Sequence, residues 1–506
     1  MWQVEVPEGA IALGYRKLIE MFNLKVVPHF RWSYVSLKWE KRELYFKNQN
    51  ITLYIYPPSY KLSDNVFKHL EFALKYEGVN LYIIKKVLSQ ISPAEITKYI
   101  QNHPMGRYAR ILWYFYENLE NKKLLLPDLK QGSYLTLLNP EEYYCSNSKR
   151  SPRHRIADNL LGNVHFAPVV RKTILLNSYE EKQIEQRVQL LTNQYEPSLV
   201  ARAMRYLYTK ETMSSWEIER EKPDHVRLTK FTELLHRADL IGSLSEEVFI
   251  ALQKDIVDSR FSLNSYRDFQ NYVGEEPGMG KMIVHYIAPK PENVRDMMSN
   301  LIGSFERIET SGIDPVIAAA IVSFLFVYIH PFEDGNGRIH RFLIHYVLAR
   351  LKFTPVGIVF PVSAVIARDM ERYDRILELF SKPLMDLITE YKINHIGTME
   401  VFQDTQDFYR YLDCTPIAEY LYECVEKTIT TDFREEIEFL ADYDNIKRLC
   451  KDIVDMPDQR IDLFIKCVRQ NAGTLSSRKR EDYFSMLTDE EIREMEVVMG
   501  QYSRKK

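Results

Sequence analysis

The sequence has few of the residues and runs that would place it in a specialised class. Its five cysteines are scattered and odd in number, at Cys145, Cys414, Cys424, Cys450 and Cys467. None has the spacing of a metal site, so they indicate reduced thiols rather than a disulfide framework. The chain does not open with a basic region and an apolar run, and no stretch is long enough to cross a bilayer. We therefore expect a cytoplasmic protein without a membrane partner.

The sequence also has no large excess of positive or negative charge. The formal net charge is −3 over 506 residues, which argues against a dedicated nucleic-acid or membrane-surface protein. Internal repeats and low-complexity segments are absent from the sequence as well. The length allows two to four domains with a sizeable core.

The most apolar stretch of the chain runs from Val316 to Ile329. Asp314 and Pro315 precede it, an N-cap acceptor followed by a residue tolerated at the first helical position. A helix of this composition is buried on all sides and is too short to cross a bilayer. Pro331 disfavours helical geometry at His330. The pattern therefore predicts a rigid core helix that ends in a polar segment.

That polar segment places several chemical groups within a dozen residues. After His330 come two carboxylates and a Gly-Asn-Gly turn at 335–337, followed by a second predicted helix from Arg338 to about Leu351. The two glycines permit positive φ and let backbone N–H groups converge on an anion at a helix N-terminus. Arg338 and Arg341 share one helix face beside that site. Asp334 suits a magnesium ion, which prefers a carboxylate and phosphate oxygens.

Each of these residues has an ordinary structural interpretation when it is taken alone. A histidine at a helix end is usually structural, and a Gly-Asn-Gly sequence is usually a turn. A buried helix rarely runs into so dense a polar cluster without a ligand, however. The combination of a base, a metal ligand, an anion site and two guanidiniums predicts phosphate-ester chemistry.

The segment from His330 to Arg341 resembles the Fic family motif, His-Pro-Phe-x-(Asp/Glu)-Gly-Asn-Gly-(Arg/Lys)-x-x-Arg, at every fixed position. Members of this family are mostly adenylyltransferases, which move AMP from ATP to a protein hydroxyl. The resemblance implies that His330 is the catalytic base, that Asp334 holds Mg²⁺ and that Phe332 anchors the loop. It further implies nucleotide contacts from Gly335, Asn336, Gly337, Arg338 and Arg341.

A second resemblance lies upstream, where Ser215 and Glu219 match the family's inhibitory helix, (Ser/Thr)-x-x-x-Glu-(Gly/Asn). Without the Fic motif, residues 212–222 would be interpreted as an ordinary acidic helix end. The resemblance implies that Glu219 pairs with Arg341 and removes this guanidinium from the γ-phosphate of ATP. Arg220 departs from the pattern, because glycine or asparagine is usual at its position.

A glycine-rich turn at residues 274–281 leads into a short predicted edge strand that ends at Pro289. The segment resembles the Fic flap, a hairpin that holds a target beside the catalytic loop by adding a strand to its edge. The residues that we assign to target docking are Ile283, Val284, His285 and Tyr286. The alternative is an ordinary loop hairpin. After the motif helix, Tyr373 lies in a helical stretch where the family places adenine contacts.

The fold class that follows is mainly α. We expect a Fic-type helical core with a short β-hairpin flap at residues 176–395. A mixed α/β recognition or regulatory domain at 1–175 precedes it. A helical region at 396–506, for packing or homo-oligomerisation, follows it.

Within the N-terminal part, residues 43–46 and 51–56 flank a turn at 47–50 and predict a hairpin. Residues 66–76 and 105–119 have helical patterns. The basic, proline-interrupted run at 149–155 predicts a loop, either a solvated connection or, less in keeping with the near-neutral charge, a nucleic-acid contact. The central region continues with predicted helices at 180–193 and 197–209.

The function that these patterns predict is a self-inhibited protein adenylyltransferase. It would use ATP and Mg²⁺ to modify a Ser, Thr or Tyr hydroxyl of a target protein or of itself. Two alternatives remain at this point. The transferred group could be another nucleotide or a phosphate, as in the Doc branch of the family. The chain could instead act as a regulatory binding module whose N-terminal domain contacts nucleic acid or a protein partner.

Overall fold

The computed structural model describes residues 6–38, 41–46, 50–275, 282–355 and 357–502. Helices dominate this part of the chain and the strands form only small sheets, as the sequence predicts. In the described residues, no helix combines the length and the apolar composition that spanning a membrane requires.

The N-terminal part begins with a four-stranded sheet in the order β1-β2-β4-β3. Its elements are β1 (Ile11–Leu13), α1 (Gly14–Met21), β2 (Arg31–Val35), β3 (Arg42–Phe46) and β4 (Ile51–Tyr56). The predicted hairpin is confirmed, because β3 and β4 pair antiparallel with Leu44 opposite Leu53. Residues 47–49 of its predicted turn lie outside the described residues.

Four helices follow this sheet and carry their own capping signals. They are α2 (Val66–Tyr76), α3 (Leu81–Leu88), α4 (Pro93–Asn102) and α5 (Arg107–Leu119). The side chain of Asn65 accepts a hydrogen bond from Lys68 N, and Ser92 forms a capping box with Glu95. Both predicted helices, at 66–76 and 105–119, are confirmed, and α5 buries Trp113 and Phe115 in the core of this region.

The basic run at 149–155 is not a loop, which corrects the prediction. It forms β6 (Lys149–Ser151) and a tight turn that leads into β7 (Ile156–Asp158), and β5 (Leu135–Thr136) pairs with β7 on the other side. Arg153 lies 2.7 Å from Glu117, and the buried His154 lies 3.0 Å from the same carboxylate. The proline that suggested a loop is part of the hairpin turn, and Arg153 and His154 both contact a carboxylate inside the protein.

The next helices are α6 (Ile174–Glu181), α7 (Ile184–Asn193) and α8 (Pro197–Ile218). The helix predicted at 180–193 is interrupted, because Gln183 has a left-handed conformation with φ 46°. The helix predicted to end at residue 209 continues to Ile218, since no glycine or proline interrupts it. The predicted inhibitory helix at 212–222 is therefore the last turns of α8 together with the residues that follow them.

The central region packs around α12 and α13, which contact each other closely. Its elements are α9 (His225–His236), α10 (Glu246–Ile256), β8 (Tyr272–Glu275), β9 (Ile283–Ile287), α11 (Pro291–Glu309), α12 (Pro315–Ile329), α13 (Asn336–Arg350), α14 (Val362–Arg368) and α15 (Met370–Leu387). Nearly every side chain of α12 is buried, as its composition predicts.

The C-terminal part consists of a small hairpin and further helices. They are β10 (Tyr391–Ile393), β11 (Met399–Val401), α16 (Thr415–Lys427), α17 (Arg434–Ile453), α18 (Asp458–Gln470), α19 (Ser477–Tyr483) and α20 (Asp489–Tyr502). The central apolar core extends past residue 395 to Ile437, because α16 packs against α12. A separate small core joins α17, α18 and α20. The division into domains at 175 and 395 stays a prediction.

Candidate active site

Helix α12 is the platform of the site. The side chain of Asp314 caps it and accepts hydrogen bonds from Val316 N at 2.8 Å and Ile317 N at 3.2 Å. The helix ends at His330, which has the left-handed conformation with φ 52° and ψ 58°. The following proline disfavours continued right-handed helix at this residue. The backbone therefore turns sharply here and carries the polar segment out of the core.

The imidazole of His330 is oriented by one hydrogen bond. Its Nδ1 lies 3.2 Å from the carbonyl oxygen of Val327, which can only accept, so the proton is assigned to Nδ1. This assignment leaves the lone pair of Nε2 available as a base. Burial lowers the pKa of His330 to about 4. The imidazole is consequently neutral at neutral pH.

The loop after His330 is closed by the side chain of Asn336. Its Oδ1 accepts from Phe332 N at 3.1 Å and its Nδ2 donates to Phe332 O at 2.8 Å. Phe332 itself is fully buried and contacts Tyr266 and Phe326. The buried Asn336 amide thus holds the loop closed through both backbone groups of Phe332, and the backbone N–H of Asn336 remains as a group that can face an anion.

An anion site lies at the N-terminus of α13. Gly335 precedes the helix with φ 86°, and its position has no side chain that caps the helix. The first intrahelical hydrogen bond runs from Ile339 N to Gly335 O at 2.9 Å. The N–H groups of Asn336, Gly337 and Arg338 precede that bond, in the arrangement that binds phosphate at helix N-termini. A side chain at Gly337 would overlap the carboxylate of Glu219.

Arg341 is held by the end of α8. Its Nη2 lies 2.7 Å from Glu219 Oε1 and also donates to Ser215 O at 2.7 Å. Its Nε donates to Ser215 Oγ at 2.8 Å. The structure thus brings together Glu219 and Arg341, the pair that the sequence predicted, and adds to them Ser215, the other residue of the inhibitory-helix pattern.

Arg338 is engaged as well, by a residue that the sequence analysis missed. Its Nη1 lies 3.2 Å from Glu221 Oε2, and its Nη2 lies 2.8 Å from Asp334 Oδ1. The guanidinium also lies over the ring of the buried Trp216, 4.3 Å from its centroid. The two acidic residues at 219 and 221, directly after a helix, were the only sequence signal for this second pair.

The backbone at Arg220 sets the direction of both glutamates. Arg220 has the left-handed conformation with φ 57°, and its N–H donates to Glu217 O at 2.9 Å. The next N–H, of Glu221, donates to Trp216 O at 3.1 Å and completes a helix C-cap. A left-handed cap explains why glycine or asparagine is usual at this position.

Helix α8 is fixed to the central core one turn before Ser215. The carboxylate of the fully buried Glu211 accepts from His345 Nε2 at 2.8 Å and from Ser363 N at 2.8 Å. The adjacent Lys210 lies 2.5 Å from the buried Asp432, which also pairs with Arg368 at 2.6 Å. These contacts hold the end of α8 over the anion site.

Asp334 is the residue that could hold a metal ion. Its side chain is 48% exposed, and both of its hydrogen bonds, from Gly335 N at 2.5 Å and from Arg338, use Oδ1. Mg²⁺ is commonly bound by one or two carboxylates with phosphate oxygens and water completing its octahedron. A half-exposed carboxylate beside an anion site fits this ion. Among the described residues, no cluster of three metal-ligating side chains is found.

The predicted flap is a two-stranded hairpin in which β8 and β9 pair antiparallel. Ile283 and His285 are exposed, Val284 is partly exposed, and residues 276–281 of the turn lie outside the described residues. Tyr286 is buried, and its hydroxyl donates to the carbonyl of Tyr328. Its side chain therefore faces the core, as does that of Val284, whereas Ile283 and His285 lie on the exposed face of the strand.

Tyr373 is also buried, and its ring lies 6.3 Å from that of His340. Burial raises the pKa of Tyr373 to about 12. The structure therefore gives Tyr373 a packing role in the core, next to Arg341, and its predicted contact with adenine stays a prediction.

Comparisons with known proteins find similarity to proteins named Fic. Residues 243–348 match the model of the Fic/DOC family. "Protein adenylyltransferase fic-1" of Caenorhabditis elegans is 38% identical over 66 residues, which cover 13% of this chain and 13% of that protein. "Protein adenylyltransferase Fic" of Nematostella vectensis is 27% identical over 150 residues, 28% of this chain and 25% of that one.

Among solved structures, a Fic family protein from Desulfovibrio desulfuricans G20 aligns with a TM-score of 0.37 and 18% identity, over 65% of this chain and 89% of that one. The chain spans about an eighth to a quarter of the length of the two curated relatives described above.

Proposed function

Residues 243–348 form a domain of the Fic/DOC family, and from this premise we propose that the chain is a self-inhibited protein adenylyltransferase. It transfers AMP from ATP to a Ser, Thr or Tyr hydroxyl of a target protein or of itself. One observation carries the proposal: a neutral histidine with an available Nε2 stands beside an anion site whose two arginines are both held by carboxylates.

The anion site supports binding of a triphosphate. The N–H groups at the start of α13 would bind phosphate oxygens, and Arg338 and Arg341 would bind the outer phosphates. Asp334 would hold Mg²⁺, which when bound neutralises phosphate charge. Because Asp334 and Arg338 are paired at 2.8 Å, a guanidinium that turns toward phosphate would also release this carboxylate.

His330 would act as the general base. Its Nε2 accepts the proton of the target hydroxyl, whose oxygen then bonds to the α-phosphorus of ATP. The bond from the α-phosphorus to the bridging oxygen breaks, and pyrophosphate leaves. General-base catalysis of this kind typically contributes about a hundred- to ten-thousand-fold to the rate. The remainder comes from positioning and from the charges of the arginines.

Self-inhibition follows from the place of the glutamate carboxylates. Glu219 lies against Gly337, at the helix N-terminus where a phosphate would bind, and it pairs with the fully buried Arg341 at 2.7 Å. A charge-assisted pair with a buried guanidinium competes well with a phosphate oxygen. ATP would therefore bind without its γ-phosphate held for productive attack.

The proposal is tested with full-length protein, Mg²⁺ and ATP labelled separately at the α- and γ-phosphates. Glu219→Gly should raise self-modification by the α label, whereas Glu217→Gly, an exposed glutamate of the same helix end, should not. Label from the γ position alone would indicate phosphate transfer instead. No covalent label from either position, in any variant, would refute a transferase.

A further inference from the structure

Arg267 is a buried arginine whose side-chain hydrogen bonds, within the described residues, all go to backbone carbonyls, including a longer one from Nη2 to Ile329 O at 3.4 Å. Its side chain is 2% exposed. Nε donates to His330 O at 2.8 Å, Nη1 to Phe269 O at 2.7 Å and Nη2 to Pro289 O at 2.6 Å. Its own backbone N–H donates to Pro331 O at 2.9 Å. No carboxylate accepts from this guanidinium in the part of the chain that the structure describes.

These contacts connect the flap hairpin with the backbone at His330, and the relative position of these two parts matters for the proposed reaction. Phe269 lies in the segment that leads into β8, and Pro289 lies two residues after the end of β9, so one guanidinium holds both ends of the flap hairpin. The other contacts fix the carbonyls of His330 and Pro331, where the backbone is left-handed at a non-glycine residue. A conformation of this kind persists only when its surroundings hold it.

The charge of Arg267 acts on the same histidine. Burial lowers the pKa of Arg267 to about 10, so the guanidinium remains protonated at neutral pH. Its positive charge disfavours the imidazolium form of His330. The other charged groups that face His330 are Glu219, from the end of α8, and Asp334, from the loop, and both favour imidazolium. Arg267 is thus the group that opposes them.

We propose that Arg267 is a positioning residue for the transfer reaction: it holds the flap hairpin in register with His330 and places a positive charge beside this base. This inference rests on the proposed adenylyltransferase function. A target hydroxyl docked on the flap would reach Nε2 of His330 only when this guanidinium fixes both backbones. Arg267 would affect the rate of the chemical step and not the affinity for ATP, because among the described residues it forms no hydrogen bond with the anion site.

The test uses full-length protein that carries Glu219→Gly, to which Arg267→Gln, Arg267→Lys or the control Arg260→Gln is added. Arg260 lies in the same segment, but its side chain is 77% exposed and forms an ion pair with Asp258, two residues away. Arg267→Gln should lower kcat about 100-fold, since small displacements of reacting groups have effects of this size. The affinity for ATP, measured by calorimetry, should change less than twofold, and Arg260→Gln should change neither quantity.

The pH profile separates this role from a merely structural one. Removing the charge should move the acid limb of kcat/KM to higher pH, because the positive charge of Arg267 lowers the pKa of His330. Arg267→Lys should restore the position of the acid limb, because it keeps the positive charge. It should not restore the full rate, because an ammonium group lacks the planar set of N–H donors of a guanidinium. The pKa of His330 itself, followed by NMR on ¹⁵N-histidine protein and assigned with His330→Ala, should move in the same direction.

The outcomes are distinguishable. If the Glu219→Gly parent transfers no AMP, the proposed function fails. If the parent is active and Arg267→Gln keeps its rate and pH profile, the positioning role fails. If Arg267→Gln is poorly folded, Arg267→Lys provides the test. Full activity of that variant, with an unchanged pKa of His330, would show that the several N–H donors of the guanidinium do not position the base.

Discussion

The carboxylate of Glu221 lies 3.2 Å from the guanidinium of Arg338, at the same helix N-terminus where Glu219 holds Arg341. Both glutamates therefore satisfy an arginine of the anion site. The side chain of Glu221 is 41% exposed, whereas that of Glu219 is 32% exposed and lies against Gly337. The pair at Glu221 should accordingly be the weaker of the two, because water screens it more.

We expect Glu221→Gln to raise the affinity for ATP about two- to fivefold, the range of a partly exposed ion pair. The effect should add to that of Glu219→Gly, because each glutamate holds a different arginine. Titration calorimetry with Mg²⁺ and ATP measures this, with Glu217→Gln as the control. Unchanged affinity in both backgrounds would show that Glu221 does not compete with phosphate.

The left-handed cap at Arg220 gives a stability prediction. Arg220→Gly should stabilise the folded chain by about 1 kcal/mol, since glycine adopts positive φ without a Cβ clash. A firmer cap should also hold Glu219 more tightly and lower basal self-modification. Thermal unfolding and α-label incorporation measure the two effects. Arg220→Ala removes the same charge but keeps the Cβ, so an equal gain in that variant would contradict the explanation.

The pH dependence of the transfer rate should follow the protonation of His330. The base is active when neutral, and burial lowers its pKa to about 4. The rate of the Glu219→Gly variant should therefore stay level as the pH falls past the ordinary histidine value near 6.5, and decline only as it approaches about 4. Initial rates across this range measure it, and each sample is returned to pH 7 to confirm that it was not inactivated.

A decline centred on the ordinary histidine pKa would show that burial does not shift this group during turnover. His330→Ala should abolish transfer while ATP binding persists, and labelling that survives in this variant would remove His330 as the base.

The anchor of α8 should matter for both stability and inhibition. Glu211→Ala leaves His345 and Ser363 N without their buried acceptor and should lower the free energy of unfolding by about 3 kcal/mol. Basal self-modification should rise, because the end of α8 is no longer held over Arg341. Denaturant titration and labelling test this, with the exposed Glu217→Ala as the control. If the variant is destabilised but its labelling is unchanged, the contacts of Glu211 do not maintain the inhibitory contact.

Several local features could be predicted because they depend on near neighbours in the chain. The cap at Asp314, the apolar run of α12 and the turn at His330 all lie within one element and its ends. The same holds for the β3–β4 hairpin and for α2. The single helix predicted at 180–193 was wrong, because the left-handed residue Gln183 interrupts it and no glycine marks that position. The helix end predicted at residue 209 was also wrong, because α8 continues to Ile218.

The sequence by itself determined the composition of the site: one motif supplied the base, the carboxylate, the glycine turn and two arginines, and a second supplied Ser215 and Glu219. Only the tertiary structure decided that Glu221 pairs with Arg338, that Arg267 joins the flap to His330 and that Tyr286 faces the core. The physical reason is separation along the chain. Contacts between residues tens to more than a hundred positions apart depend on how several helices pack together, and no local pattern of residues encodes that packing.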